Sequence, residues 1–161
     1  MATLQDMARE TGALLKDRGA SIAVAESSSG GLVSAALLSV PGASAYYKGG
    51  GVIYTRDARS GLLNLPPEVV TMRGANEEYA LIVARAIRDR LGAEWGLAET
   101  GASGPDGNRY GDAAGHCCFA VAGPVERSAT LETGSADREA NMWAFAKAAI
   151  ALLRETVSGE S

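Results

Sequence analysis

The chain has 161 residues, 47% of them hydrophobic and 21% charged, with a formal net charge of −4. This is the size and composition of one ordinary globular domain spanning residues 1–161, and it excludes a disordered or fibrous protein. The 15 Lys and Arg are scattered among 19 Asp and Glu, so no clustered basic surface for nucleic acid is expected. Aromatics are few and there are 20 glycines, which points to a core of small side chains with close backbone approaches.

Leu4, Met7, Ala8, Thr11, Leu14 and Leu15 recur at three- and four-residue steps, so an amphipathic helix is expected, stopped at Gly19. Residues 21–26 alternate as a strand. Ser27-Ser28-Ser29-Gly30-Gly31 follows, then a small-residue helix through Leu38, broken by Val40-Pro41-Gly42. Residues 46–54 read as a second strand. Residues 56–63 read as a short helix closed by Pro66-Pro67. Asn76 caps the next helix, with Ala80, Ala84, Ile87 and Leu91 on one face and Gly92 at its end. Residues 95–100, 114–122 and 127–133 read as strands, the last two joined through Gly123-Pro124. The final helix starts near Asp137 and carries Met142, Phe145, Ala146, Ala149, Ile150, Leu153 and Val157 as its buried stripe.

Strands alternating with helices predict an α/β fold: three layers, with a mixed, mostly parallel five-stranded sheet. The polar start of the chain shows no signal peptide, and no apolar run is long enough to span a membrane, so the cytoplasm is the expected location. Cys117 and Cys118 are adjacent and point to opposite faces of a strand. Neither a disulfide between them nor a zinc site is expected, and they read as small packed hydrophobes.

Ligands of such folds bind at the carboxyl ends of the strands, which singles out three loops. In the first, Ser27, Ser28 and Ser29 offer hydroxyls, while Gly30 and Gly31 let a ligand approach N–H groups at a helix start. It reads equally as an anion site or as a serine-capped turn. The second holds Ser44 among small residues; a serine needs a base to become a nucleophile. The third, Thr100-Gly101-Ala102-Ser103-Gly104, offers a nest of N–H groups for an oxyanion or phosphate, or is a plain glycine-rich connector. His116 is the only histidine. Its place beside Cys117 and Phe119 in a strand reads as structural rather than catalytic.

Taken in order, the motifs are more specific than any one alone. Ala25-Glu26-Ser27-Ser28-Ser29-Gly30-Gly31, Val40-Pro41-Gly42-Ala43-Ser44-Ala45, Gly49-Gly50-Gly51-Val52-Ile53-Tyr54-Thr55-Arg56-Asp57-Ala58-Arg59 and Thr100-Gly101-Ala102-Ser103-Gly104-Pro105 together resemble the CinA C-terminal domain family. The resemblance runs from about Leu4 to Leu153. It implies nicotinamide-nucleotide amidohydrolase chemistry: deamidation of nicotinamide mononucleotide to nicotinic acid mononucleotide and ammonia. It also implies Ser44 as nucleophile, no metal, no cofactor, and a homo-oligomer. The ligand expected is a small anionic molecule, a mononucleotide, held by the first and third loops with Arg56.

The resemblance also exposes a departure. The family's general base is a lysine fifteen residues after the nucleophile, and Arg59 stands there. A buried lysine can shed its proton near neutral pH; arginine, with a pKa of roughly 12 or above, does not. Arg56 replaces a family asparagine and Met142 a family arginine. Two readings follow. In one, a hydrolase uses Tyr54 as its base, its phenol acidified by Arg56 and Arg59. In the other, a non-catalytic nucleotide-binding or regulatory paralogue keeps the pocket without the chemistry.

Overall fold

The computed structural model describes residues 2–159. Helix α1 (Leu4–Asp17) is opened by Thr3, whose hydroxyl accepts the Asp6 N–H while the Asp6 carboxylate accepts the Thr3 N–H. The remaining elements are β1 (Ile22–Glu26), α2 (Leu32–Leu38), a 3₁₀ turn (Ala43–Ala45), β2 (Tyr47–Val52), α3 (Arg56–Gly61), α4 (Pro67–Val70), α5 (Glu77–Leu91), β3 (Trp95–Ala102), β4 (His116–Ala122), β5 (Arg127–Glu132) and α6 (Arg138–Ser158). Asn76 and Asp137 cap α5 and α6, and Gly92 closes α5 in the left-handed conformation, as their sequence positions suggest.

The sheet runs β2-β1-β3-β4-β5. β1 lies parallel to both β2 and β3, while β4 is antiparallel to β3 and β5 antiparallel to β4. The mixed five-stranded α/β/α architecture expected from the strand–helix alternation is therefore present.

Alternation along the strands divides the core in two. Ile22 and Val24 of β1, Leu97 of β3, and Cys117, Phe119 and Val121 of β4 face α1, α2 and α6, meeting Leu15, Leu37, Phe145, Ile150 and Leu153. Each large side chain buried there contributes about 1.5–3 kcal/mol. The opposite face presents Ala23, Ala25, Ala98, Ala120 and Ala122 to α5 and the α3–α4 segment. Small residues let α5 sit close to the sheet. A Cβ at Gly96 would fall 2.0 Å from the Ala84 carbonyl oxygen.

Four local expectations are corrected. β3 continues past Thr100 through Gly101 and Ala102, because these pair with Cys117 and His116; they belong to a strand rather than to a loop. Pro66-Pro67 starts a helix, α4, with proline at its first position, where no N–H is needed. Leu91 is 37% exposed at the end of α5, its side chain lying over Gly49 of the edge strand β2. Met142 is only half-buried at the start of α6.

Candidate functional site

The carboxyl ends of β1, β2 and β3 open into a cleft of about 510 Å³. Ser27 follows β1, Tyr54, Thr55, Arg56 and Arg59 follow β2, and Thr100 and Gly101 end β3. Gly74 and Ala75 form one wall, and Asn108, Arg109 and Tyr110 form another. The volume is that of a small-molecule site. Of the described residues that line it, three are arginines and none is an Asp or Glu.

Arg59 is fixed rather than poised. Thr55 caps α3 by accepting the Ala58 N–H at 3.1 Å, which sets Arg59 on the helix's inner side, 8% exposed. Its Nη1 donates to the carbonyls of Val70 (2.9 Å) and Met72 (2.8 Å), and its guanidinium lies 4.2 Å from the centre of the Tyr79 ring. It forms no ion pair among the described residues, and its buried Nε has no hydrogen-bond partner. Carbonyls and an aromatic face stabilise the cation. This is the surrounding of a permanent charge, not of a proton acceptor.

Arg56 is exposed, with Nη2 3.4 Å from the Thr71 carbonyl. Tyr54 is 56% exposed, and its hydroxyl accepts from Arg138 Nη2 at 3.2 Å. Two of the cleft's arginines, Arg109 and Arg56, act on the phenol of Tyr110. A hydrogen bond from Arg109 Nη2 at 2.9 Å, helped by Arg56, holds its pKa below the ordinary phenol value. The resemblance marks Asn108, Arg109 and Tyr110 only as part of a stretch that departs from the family's motif; it assigns them no role, because the 105–115 segment lacks a helical or strand period to place it.

The first loop is built differently from expectation. Glu99 Oε1 accepts the N–H groups of Ser27 and Ser29, both at 2.9 Å, and the Ser29 hydroxyl at 2.7 Å, while Oε2 accepts from the Ser28 hydroxyl. Glu26 accepts the N–H groups of Gly31 (3.2 Å), Val33 (2.9 Å) and Ser34 (3.0 Å), and lies 2.6 Å from the Ser29 hydroxyl. Both carboxylates are buried. The helix-start donors predicted to meet a ligand anion are thus met by the protein's own acidic side chains. Ser28 and Ser29 are buried, and only Ser27 of this loop lines the cleft; Gly30 instead lies against Met142.

The third loop divides in the same way. Thr100 faces the cleft wall, its hydroxyl accepting the Ala75 N–H at 3.0 Å. Ala102, Ser103 and Gly104 do not line the cleft. The Ser103 and Gly104 carbonyls accept from Asn141 Nδ2 (2.8 Å) and Arg138 Nη1 (2.5 Å) at the start of α6.

Ser44 lies elsewhere. It is exposed on the 3₁₀ turn that leads into β2. The Tyr46 carbonyl pairs with Ile22 at the start of β1, whereas Ile53 pairs with Glu26 at its end. Since a strand rises about 3.3 Å per residue, Ser44 stands on the order of 20 Å from Tyr54 and Arg59. One chain does not bring the expected nucleophile to the cleft. His116 is likewise not beside Ser44; it starts β4, paired with Ala102 at the far end of β3. Among the described residues no group of three His, Cys, Asp or Glu side chains is placed to hold a metal ion, and no helix is long and apolar enough to cross a membrane.

Fold and cleft define a class: a three-layer α/β/α domain with a mixed sheet and an arginine-lined cleft at the carboxyl ends of its parallel strands. The chain belongs to the CinA C-terminal domain family, whose model matches residues 4–157. It is 40% identical over 124 residues to a CinA-like protein of Gloeobacter violaceus, covering 76% of this chain and 29% of that protein. To a CinA-like protein of Synechocystis it is 36% identical over 138 residues, covering 85% and 33%. The chain thus spans about a third of the length of these relatives. The crystal structure of a competence-damaged protein (CinA) superfamily protein from Klebsiella pneumoniae superposes with a TM-score of 0.91 at 24% identity, covering 98% of this chain and 99% of that one. The competence/damage inducible protein CihA from Agrobacterium tumefaciens gives 0.88 at 27% identity, covering 98% and 97%.

Proposed function

We propose that the cleft binds a small phosphorylated ligand, a mononucleotide, and that the single chain binds it without hydrolysing it. One observation carries this reading: Arg56, Arg59 and Arg109 converge on a cleft with no carboxylate among the described residues that line it. Guanidinium groups match phosphate oxygens in charge and fork geometry. Tyr54 and Tyr110 offer aromatic faces for a base or pyridine ring. Arg59 takes the place of a base and supplies charge instead. No nucleic acid and no membrane are required as partners.

Amide hydrolysis, the activity implied by the resemblance, is the second reading. It needs Ser44 delivered by a second copy of the chain, and β2 favours this because it is an unpaired edge strand. Antiparallel pairing of two β2 strands about their midpoint sets the turn before one beside the Tyr54–Arg56 segment after the other.

The test is calorimetry with nicotinamide mononucleotide and with inorganic phosphate, alongside ammonia release from the mononucleotide. Binding without ammonia supports the first reading; no heat with either probe refutes it. Ammonia release that disappears in Ser44→Ala establishes the second. In that case, mixing Ser44→Ala with Arg56→Ala restores part of the activity if the site is shared between copies. Arg59→Lys is run in parallel. Turnover appearing only in that variant means that the cleft is competent and that arginine alone blocks it.

A further inference from the structure

We infer that His116 is a positioning residue for the cleft: as an imidazolium it ties both loop walls to the sheet, and the cleft loses affinity for anions when the ring loses its proton. The clause about affinity rests on the anion-binding reading above; the tie itself does not.

The geometry is a junction of four segments. His116 opens β4. Its Nδ1 bonds Glu132 of β5, its Nε2 lies 2.7 Å from the Ala75 carbonyl oxygen, and the same nitrogen is 3.8 Å from Asp112 Oδ1. The nearest partner of each nitrogen, a carboxylate for Nδ1 and a carbonyl for Nε2, only accepts. A neutral imidazole has one N–H and one lone pair, so it would set a lone pair against an acceptor. The imidazolium satisfies both and also faces the Asp112 charge.

Two of these contacts, to Ala75 and to Asp112, lead to walls of the cleft. Ala75 and its neighbour Gly74 line the cleft beside Arg59; a Cβ on Gly74 would fall 2.9 Å from Arg59 Nη2. Asp112 holds Arg73 Nη2 through both oxygens at 2.5 Å and accepts Asn108 Nδ2 at 2.8 Å. Asn108 Oδ1 in turn accepts the N–H groups of Tyr110 (3.0 Å) and Asp112 (3.1 Å). The Asn108-Arg109-Tyr110 wall therefore hangs on Asp112, and Asp112 faces the ring.

The other charged or titratable groups around the ring are few. Arg73 lies beyond Asp112. The Cys118 thiol, pushed up by its burial, is 3.7 Å from Nε2. Glu77 at the start of α5 is turned to Ser128 and Thr130. Burial of the ring opposes its charge. The bonds to Glu132 and to the Ala75 carbonyl, with the charges of Asp112 and Glu132, outweigh that and raise its pKa above the ordinary value. The tie is therefore present just below the raised value and is lost as pH rises through it.

His116 is the only histidine, so in untagged protein its ring titration is read by NMR without ambiguity. The ring is expected to titrate above about 6.5, and Asp112→Asn is expected to move it down. Calorimetry with nicotinamide mononucleotide from pH 6 to 9 is compared between the wild type and His116→Gln, so that titration of the ligand's own phosphate cancels. The wild type is expected to lose at least tenfold more affinity across this range than the variant. Matching pH profiles, or a ring pKa at or below the ordinary value, overturn the proposal.

If the mononucleotide does not bind, the anion-binding reading fails and hydrogen exchange decides the tie. Protection of the Ala75, Tyr110 and Asp112 amides falling tenfold beyond the intrinsic pH effect, in step with the ring titration, supports it. Unchanged protection overturns it. Should His116→Gln fail to fold, Asp112→Asn serves instead: the loss of protection must then shift to lower pH with the ring.

Discussion

Removing the Glu99 carboxylate tests the claim that the serine loop is satisfied from inside the protein. Glu99 accepts two backbone N–H groups, from Ser27 and Ser29, and the hydroxyls of Ser28 and Ser29. The hydroxyls can turn to other acceptors, and Ser29 already lies 2.6 Å from Glu26. The two N–H groups cannot turn. Each buried donor left unsatisfied costs about 1–3 kcal/mol, so Glu99→Ala is expected to lose about 4 kcal/mol. For a chain of this size that corresponds to a fall in Tm of about 8–16 °C. Glu99→Gln keeps one carbonyl oxygen for both N–H groups and lets the Ser28 hydroxyl accept from its amide, so it should lose about 1–2 kcal/mol. Glu99→Met fills the volume without an acceptor and should fall with Glu99→Ala, separating lost hydrogen bonds from an empty cavity. Thermal and urea unfolding followed by circular dichroism measure all three. If Glu99→Met is as stable as Glu99→Gln, the carboxylate is not what satisfies this loop, and its N–H groups return as candidates for binding a ligand anion.

Two further outcomes are expected. Gly96→Ala places a Cβ against the Ala84 carbonyl and should destabilise by about 1–3 kcal/mol, read as a lower urea midpoint; an unchanged midpoint refutes the close approach of α5 to β3. The Ser128 and Thr130 hydroxyls, each 2.6 Å from Glu77, hold its pKa below the ordinary carboxylate value. The stability this gives is present above the unfolded-state pKa and is lost as pH falls through the lowered folded value. Glu77→Gln should therefore flatten the acid limb of the stability–pH curve, and an unchanged limb counts against it.

Local signals along the chain are enough to reach the elements and the layers. Apolar periodicity, Asn76 and Asp137 as caps, and Gly19 and Gly92 as stops are local signals, so α1, α5, α6 and all five strands are legible from them. The order of motifs was enough to reach the family. Only the tertiary structure decided which motif residues share a site. The β3–β4 ladder carries Gly101 and Ala102 onward as strand, because pairing partners outrank glycine's local preference. Glu26 and Glu99 are far apart in sequence, yet together they occupy the donors of the serine loop; loop composition alone could not reveal that those donors were already used. The parallel register of β1 and β2 sends Ser44 to one end of the sheet and Tyr54, Arg56 and Arg59 to the other. Fifteen residues of sequence separate Ser44 from Arg59, but an extended strand turns that short separation into the height of the sheet. The sequence could not place the cleft walls at Gly74–Ala75 and Asn108–Tyr110, the second legible only as a departure from the family's motif, because long-range bonds to His116, Asp112 and Thr100 hold them in place and no local period does.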